Sequence, residues 1–213
     1  MSRNLCKSCS RPEKACICQF ITPLDNSVHV VILQHPSEVK QTKGTVSLLS
    51  KSLKNCQTIV GEEFCHNESL LTVLANYHCF LLYPQEQAQT LTKQSFTSQN
   101  ISEKPLCMII LEGTWKKAYR MFQLNTFLQN LPRFQLPQEL ASSGKYLIRS
   151  VAKENALSSL EACCFALALI EQNNCTINVP SKVIDLGQYQ TLLNKFDQFN
   201  QFQLSFVPKS HQP

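Results

Sequence analysis

The residues best placed for chemistry lie at Glu112-Gly113-Thr114-Trp115, where an acidic side chain, a glycine, a hydroxyl and the chain's single Trp follow one another. They join an unbroken apolar run, 106–111, ending at Leu111, to a segment with helical periodicity that reaches Phe122. Strand, tight turn and helix is the expectation, with Thr114 as the helix N-cap. In an α/β protein such a turn leaves backbone groups and a helix N-terminus facing a ligand. Trp115, Ala118, Tyr119 and Phe122 recur at i, i+3, i+4 and i+7, which predicts that they form the helix's apolar face. Trp115, in the first turn, can fill the core or line a pocket. Lys116, Lys117 and Arg120 fall elsewhere on the same helix, as solvated charges or as phosphate contacts.

A second cluster is made of sulfur. Of eleven Cys, four crowd into residues 6–18 as Cys6, Cys9, Cys16 and Cys18. Four thiolates suit a closed tetrahedral zinc site that leaves no position for water, so such a site would contribute to folding and not to catalysis. A reactive dithiol pair and fortuitous clustering are the other readings. The remaining seven Cys read as small apolar residues or inert thiols.

Two more strand ends carry polar or rigid residues. The strand expected over Val28 to Leu33 ends in Gln34-His35-Pro36-Ser37-Glu38, where His35 could be a general base, a phosphate contact or a His satisfied by local hydrogen bonds. The apolar strand beginning at His78 is stopped by Pro, which leaves Leu82, Tyr83 and Pro84 at a stiff turn. Further on, Leu157-Ser158-Ser159-Leu160-Glu161 opens an apolar helix running to about residue 172. Ser158 and Glu161 have the spacing of a capping box, in which each side chain satisfies a backbone donor of the other. A helix start with two hydroxyls can equally cradle an anion.

The elements that must position these residues alternate along the chain. A helix is expected over 42–53, with Val46, Leu49 and Leu53 inward, then a short strand at 58–60 and an amphipathic helix over 69–75. The Gln-, Ser- and Thr-rich stretch 85–104 reads as a surface connection. A continuing helix over 124–131, strands at 133–136 and 145–149, and a last helix within 185–206 complete the pattern. Strand and helix alternate about five times, which predicts an α/β fold with a parallel-rich sheet covered by helices.

With 213 residues, 43% of them hydrophobic, the chain can bury a sizeable core. It shows no apolar run of the roughly 18 residues a membrane helix needs and no apolar leader, so a cytoplasmic, thiol-reducing setting is expected, and metal binding is favoured there over disulfides. A net charge of +5 and a pI near 8.6 tilt toward an anionic partner without deciding one.

Taken together, several segments resemble the DTW-domain family, the tRNA-uridine aminocarboxypropyltransferases. The resemblance is carried by the cysteine cluster, the Gln34–Glu38 turn, the Leu81–Pro84 turn, the D-x-T-W turn with its basic helix, and a final element made of Tyr146, Arg149 and Leu157–Ala162. They occur in the family's order and span nearly the whole chain. The resemblance implies transfer of a 3-amino-3-carboxypropyl group from S-adenosylmethionine to a ring nitrogen of uridine in tRNA. It also implies a fold similar to the SPOUT enzymes, with helices on both faces of the sheet and a trefoil knot. A small zinc knuckle over 1–22 would precede a catalytic domain over 23–213. The cofactor pocket would be formed by Leu82–Pro84, Leu111–Trp115 and Leu157, Ser158, Ser159 and Glu161. Glu112 would hold the cofactor's ammonium group or take the uridine proton, while His35, Lys116, Lys117, Arg120 and Arg149 would face the RNA. A related methyltransferase, a non-catalytic tRNA-binding protein and an aminocarboxypropyl transferase acting on ribosomal RNA are the alternatives. Two positions depart from the family pattern: Glu112 stands where the family has Asp, and Lys43-Gly44-Thr45 replaces an Asn-Thr pair.

Overall fold

A run of apolar residues that never alternates with polar ones must be buried on both sides, and in this chain such runs become the inner strands of a sheet. A computed structural model describes residues 4–41, 44–92, 94–96, 103–141, 157–171 and 186–206. Its strands are β1 (His29–Gln34), β2 (Cys56–Val60), β3 (His78–Leu82), β4 (Gln89–Thr90), β5 (Leu106–Glu112) and β6 (Arg133–Gln135). They form one six-stranded sheet in the order β2-β1-β5-β3-β6-β4, and every pairing between them is parallel. The strand expected at 145–149 lies outside the described residues.

The helices are α1 (Val46–Ser52), α2 (Glu68–Asn76), α3 (Trp115–Leu124), α4 (Thr126–Gln129), α5 (Gln138–Ala141), α6 (Ser159–Glu171) and α7 (Tyr189–Leu204). Side chains alternate across a strand, so each inner strand feeds two cores. Val30, Ile32, Met108 and Ile110 join Leu48 and Leu49 of α1, the buried face of α6, and Phe196 and Phe199 of α7. Val31, Leu33, Cys107 and Ile109 join Leu70 of α2 and Ala118, Met121 and Phe122 of α3 on the other side. Each fully buried side chain of this size contributes about 1.5–3 kcal/mol of transfer free energy, so the two layers fix the sheet from both faces. Among the described residues, no helix is long and apolar enough to cross a membrane.

The helix expected over 124–131 is interrupted. Asn125 leaves helical geometry at φ −113° and ψ 84°. Its buried side chain accepts from Phe64 N–H at 2.7 Å and donates to the carbonyls of Glu62 and Met121, both at 2.7 Å. A side chain that satisfies another loop's backbone competes with helix continuation. The stretch 85–104 is also more than a connection, since it supplies the short edge strand β4.

Connectivity sets where a ligand can enter. From β1 the chain leaves through α1 on one face toward β2 at one edge of the sheet. From β5, the neighbour of β1, it leaves through α3 on the opposite face toward β6. Adjacent strands whose connections part in this way open a crevice at their carboxyl ends. Gln34 and Glu112 are register partners at that place.

Candidate active site

Glu112 reaches the crevice by strand parity. It shares the face of Met108 and Ile110, which is the face covered by α6, and it is only 3% exposed. There its Oε2 accepts a hydrogen bond from the Ser159 hydroxyl in the first turn of α6. Its backbone carbonyl accepts from His35 N–H at 3.0 Å, tying this turn to the one after β1. A buried carboxylate loses hydration and requires donors or a cation, so the position suits a cationic group of a ligand.

The start of α6 is held by reciprocal caps. Ser158 N–H donates to Glu161 Oε2 at 2.8 Å, and Glu161 N–H donates to Ser158 Oγ at 3.2 Å. Both residues are buried, and Leu157 packs against the core beside them. The capping box therefore presents Ser159 to Glu112. Ser158→Ala is expected to cost about 0.5–2 kcal/mol, which lowers the thermal midpoint by roughly 2–4 °C per kcal/mol in a chain of this size. Differential scanning calorimetry reads the shift.

His35 has both ring nitrogens engaged. Nδ1 accepts from Ser37 N–H at 3.2 Å and from the Ser37 hydroxyl at 2.9 Å. With Nδ1 an acceptor, the ring proton sits on Nε2, where Glu62 accepts it. Glu62 also accepts from Arg120 Nε at 3.2 Å. The His35 hydrogen bond, chiefly, holds the Glu62 carboxyl below its ordinary 4.5; burial opposes it, and Arg120 adds to the lowering. One turn earlier on α3, Lys117 Nζ pairs with the buried Glu38 at 2.8 Å. Two of the three basic side chains of α3 are thus held by carboxylates of neighbouring loops, and either would have to share its charge to meet a phosphate.

Gly113 sits at a close approach. A Cβ there would come within 3.0 Å of Lys117 Cβ and 3.6 Å of His35 Cβ. Thr114 caps α3, accepting from Lys117 N–H at 3.4 Å. Tyr83 is buried and its ring stacks on Phe122 with centroids 5.2 Å apart, which draws the Leu82–Pro84 turn to the base of α3. Burial, and then the neighbouring Tyr119, push the Tyr83 phenol above its usual range. Pro84 is exposed beyond it, and Leu111 is half-buried.

The apolar face expected for α3 divides. Ala118 and Phe122 are buried, together with Met121, but Trp115 is 52% and Tyr119 56% exposed. Burial on this helix is centred on the 118–121–122 edge, and the i, i+4 pair of aromatics faces outward. Lys116 is exposed beside them. Arg149 and Tyr146 lie outside the described residues.

The cysteines converge as their spacing suggests. Cys6 Sγ and Cys18 Sγ are 3.7 Å apart, as are Cys9 Sγ and Cys16 Sγ, and all four sulfurs lie within 4.8 Å of one another. A tetrahedral zinc with bonds of about 2.3 Å places its sulfurs about 3.8 Å apart, so the set fits a metal of that kind. Ser10, at φ 56°, turns the chain just past Cys9, and the reversal is closed by Ser10 N–H on the Cys6 carbonyl and Cys6 N–H on the Arg11 carbonyl, both at 2.8 Å. Backbone N–H groups of Cys9 and Ser8 hold the Cys6 thiol down to about 6. The Cys18 backbone lowers Cys16 too, but its hydrogen bond with Cys6 and burial win and push it up to about 12. A divalent ion would be bound by all four as thiolates. Ile17 and Phe20 anchor the cluster, Phe20 lying 5.8 Å from Phe199 and 5.3 Å from Phe202 of α7. Elsewhere Cys163 and Cys164 are buried, and burial pushes both thiols up, as inert residues require.

Glu62 and Asn125 escaped the sequence. The acidic pair Glu62-Glu63 after β2 is its only trace, and nothing local says that Asn125 clamps that loop against α3.

A family model described as DTW domain matches residues 3–204. Among curated proteins, the chain is 34% identical over 175 residues to tRNA-uridine aminocarboxypropyltransferase 2 of Macaca fascicularis, covering 79% of this chain and 57% of that protein. It is 33% identical over 176 residues to the protein of the same name from Mus musculus, covering 80% and 57%. With that of Drosophila melanogaster the identity is 30% over 176 residues, covering 79% and 67%. The chain spans just over half the length of its mammalian relatives. No solved structure matches it.

Proposed function

Because the chain belongs to the DTW-domain family, we propose that it transfers a 3-amino-3-carboxypropyl group from S-adenosylmethionine to a uridine ring nitrogen in tRNA. The bond formed joins that nitrogen to the γ-carbon of the methionine portion. The bond broken joins the γ-carbon to sulfur, whose retained electron pair makes methylthioadenosine the leaving group, and the imino proton passes to solvent. The names of the relatives support the reaction class. The observation that carries it to this chain is Glu112, a buried carboxylate at the crevice between β1 and β5, set against the start of α6.

The donor's sulfonium is already electrophilic, so placement of the reacting atoms is the main demand. Correct positioning can supply on the order of 7–11 kcal/mol of a barrier. Glu112 would hold the donor's ammonium group, the pair being strong because water is excluded there. A carboxylate is a weak base for a uridine imino proton, which favours orientation over proton abstraction. The turns at Leu82–Pro84, Leu111–Trp115 and Leu157–Glu161 would enclose the donor; the first two follow the neighbouring strands β3 and β5, and the third touches Glu112 through Ser159. His35, Lys116, Lys117, Arg120 and Arg149 would face the RNA.

The proposal extends to zinc at Cys6, Cys9, Cys16 and Cys18, to the division into a knuckle over 1–22 and a catalytic domain over 23–213, to a SPOUT-like trefoil knot and to a cytoplasmic setting. The parallel sheet with helices on both faces supports the fold comparison. Mass spectrometry of nucleosides from tRNA incubated with protein and donor tests the reaction. A uridine enlarged by one aminocarboxypropyl group is expected. A methylated uridine would instead identify a methyltransferase, and an unchanged profile with tRNA bound a non-catalytic binder.

A further inference from the structure

We propose that the outward face of α3 is a stacking platform for unpaired nucleotides of the RNA substrate, with Trp115 and Tyr119 receiving bases and Lys116 the adjoining phosphate. This rests on the reading of tRNA as substrate and adds the surface that meets it. Trp115 and Tyr119 are four residues apart, hence one above the other on a helix, and both are more than half exposed, at 52% and 56%. Large aromatic side chains are mostly buried on average, so two on one exposed stripe call for a partner. The stripe beside it, about 100° around the helix, carries Lys116 and Arg120, also exposed. Arg120 shares its charge with Glu62, whereas Lys116 makes no ion pair among the described residues.

An aromatic stripe running alongside a basic one is the arrangement that binds single-stranded nucleic acid, because every base has a face to stack and every nucleotide a phosphate. A duplex hides its base faces and offers only phosphates. The platform also has the right place. Trp115 follows Glu112 by three residues, so a base stacked there lies at the mouth of the crevice, and Tyr119 neighbours the Tyr83 turn on its other side. Ala118, Met121 and Phe122 meanwhile secure the helix to the sheet, so the platform is rigid.

Trp115 is the chain's single Trp, so its fluorescence reports on this end of α3, and the titrations are run without S-adenosylmethionine so that donor contacts do not enter the signal. Purified protein is titrated with single-stranded oligouridylate and with duplex RNA of equal length, binding being followed in parallel by anisotropy of the labelled RNA. The single strand is expected to quench Trp115 and the duplex to leave it largely unquenched. Tyr119→Ala should weaken single-strand binding about tenfold or more, with S-adenosylmethionine binding and circular dichroism unchanged, while Tyr119→Phe keeps the affinity. Lys116→Ala should reduce the slope of log affinity against log salt by about 1. The proposal is overturned if the oligouridylate fails to bind, if it binds without quenching Trp115, or if Tyr119→Ala binds as the wild type does. Quenching by single strands in a protein that leaves tRNA unmodified would sustain the platform and overturn the transfer reaction instead.

Discussion

Glu112→Gln is expected to lower aminocarboxypropyl transfer to tRNA by about 10²-fold or more, while Glu112→Asp retains the rate or raises it. Gln has the same shape and can still accept from Ser159, so the turn and α6 stay in place. What Gln lacks is the negative charge that would hold the donor's ammonium group. Asp restores the residue type of the family pattern and shortens the side chain by about 1.5 Å. Unchanged folding is part of the expectation, since removing a buried carboxylate's charge also removes its desolvation cost. Single-turnover rates for the three proteins, with tRNA and donor saturating, give the comparison. Equal rates would exclude a charge role for this carboxylate.

The second large effect falls on stability. Cys9→Ser, or removal of the cation by a strong chelator, is expected to abolish stoichiometric zinc and lower the thermal midpoint by about 10 °C or more, on the order of 2–4 °C per kcal/mol for a chain of this length. The loss should not stay local. Cys9 is buried in the same core as Ile17 and Phe20, Phe20 meets Phe199 of α7, and α7 packs on α6. Loosening the cluster therefore reaches the helix whose first turn supports Glu112. Elemental analysis beside a thermal melt measures both parts. A protein that contains no metal as purified, and melts identically after Cys9→Ser, would remove the zinc assignment.

What the sequence disclosed were features whose cause is local. The apolar run of β5 could only be a strand buried on both faces, and Ser158 and Glu161 cap α6 through atoms three residues apart. The four cysteines were readable because thiols crowded into thirteen residues must end close together. Features with a distant cause were not readable. The i, i+4 spacing of Trp115 and Tyr119 announces one face of a helix, but which face meets the sheet depends on Met121 and on strands far away in sequence. Asn125 stops α3 by bonding to a loop about 61 residues earlier. The exposed pair Gln89–Thr90 of β4 has no apolar pattern to betray an edge strand. The turns after β1, β3 and β5 were recognised separately; that they neighbour one another follows from the sheet order, which places β5 between β1 and β3.

The central claim is that the carbon delivered to tRNA comes from the amino-acid side of S-adenosylmethionine. Purified protein incubated with unmodified tRNA and donor labelled in its carboxyl carbon tests this directly, with methyl-labelled donor as the parallel sample. Label from the carboxyl carbon is expected in tRNA and label from the methyl carbon is expected to leave in methylthioadenosine. Label entering tRNA from the methyl carbon alone, or from neither, would contradict the account.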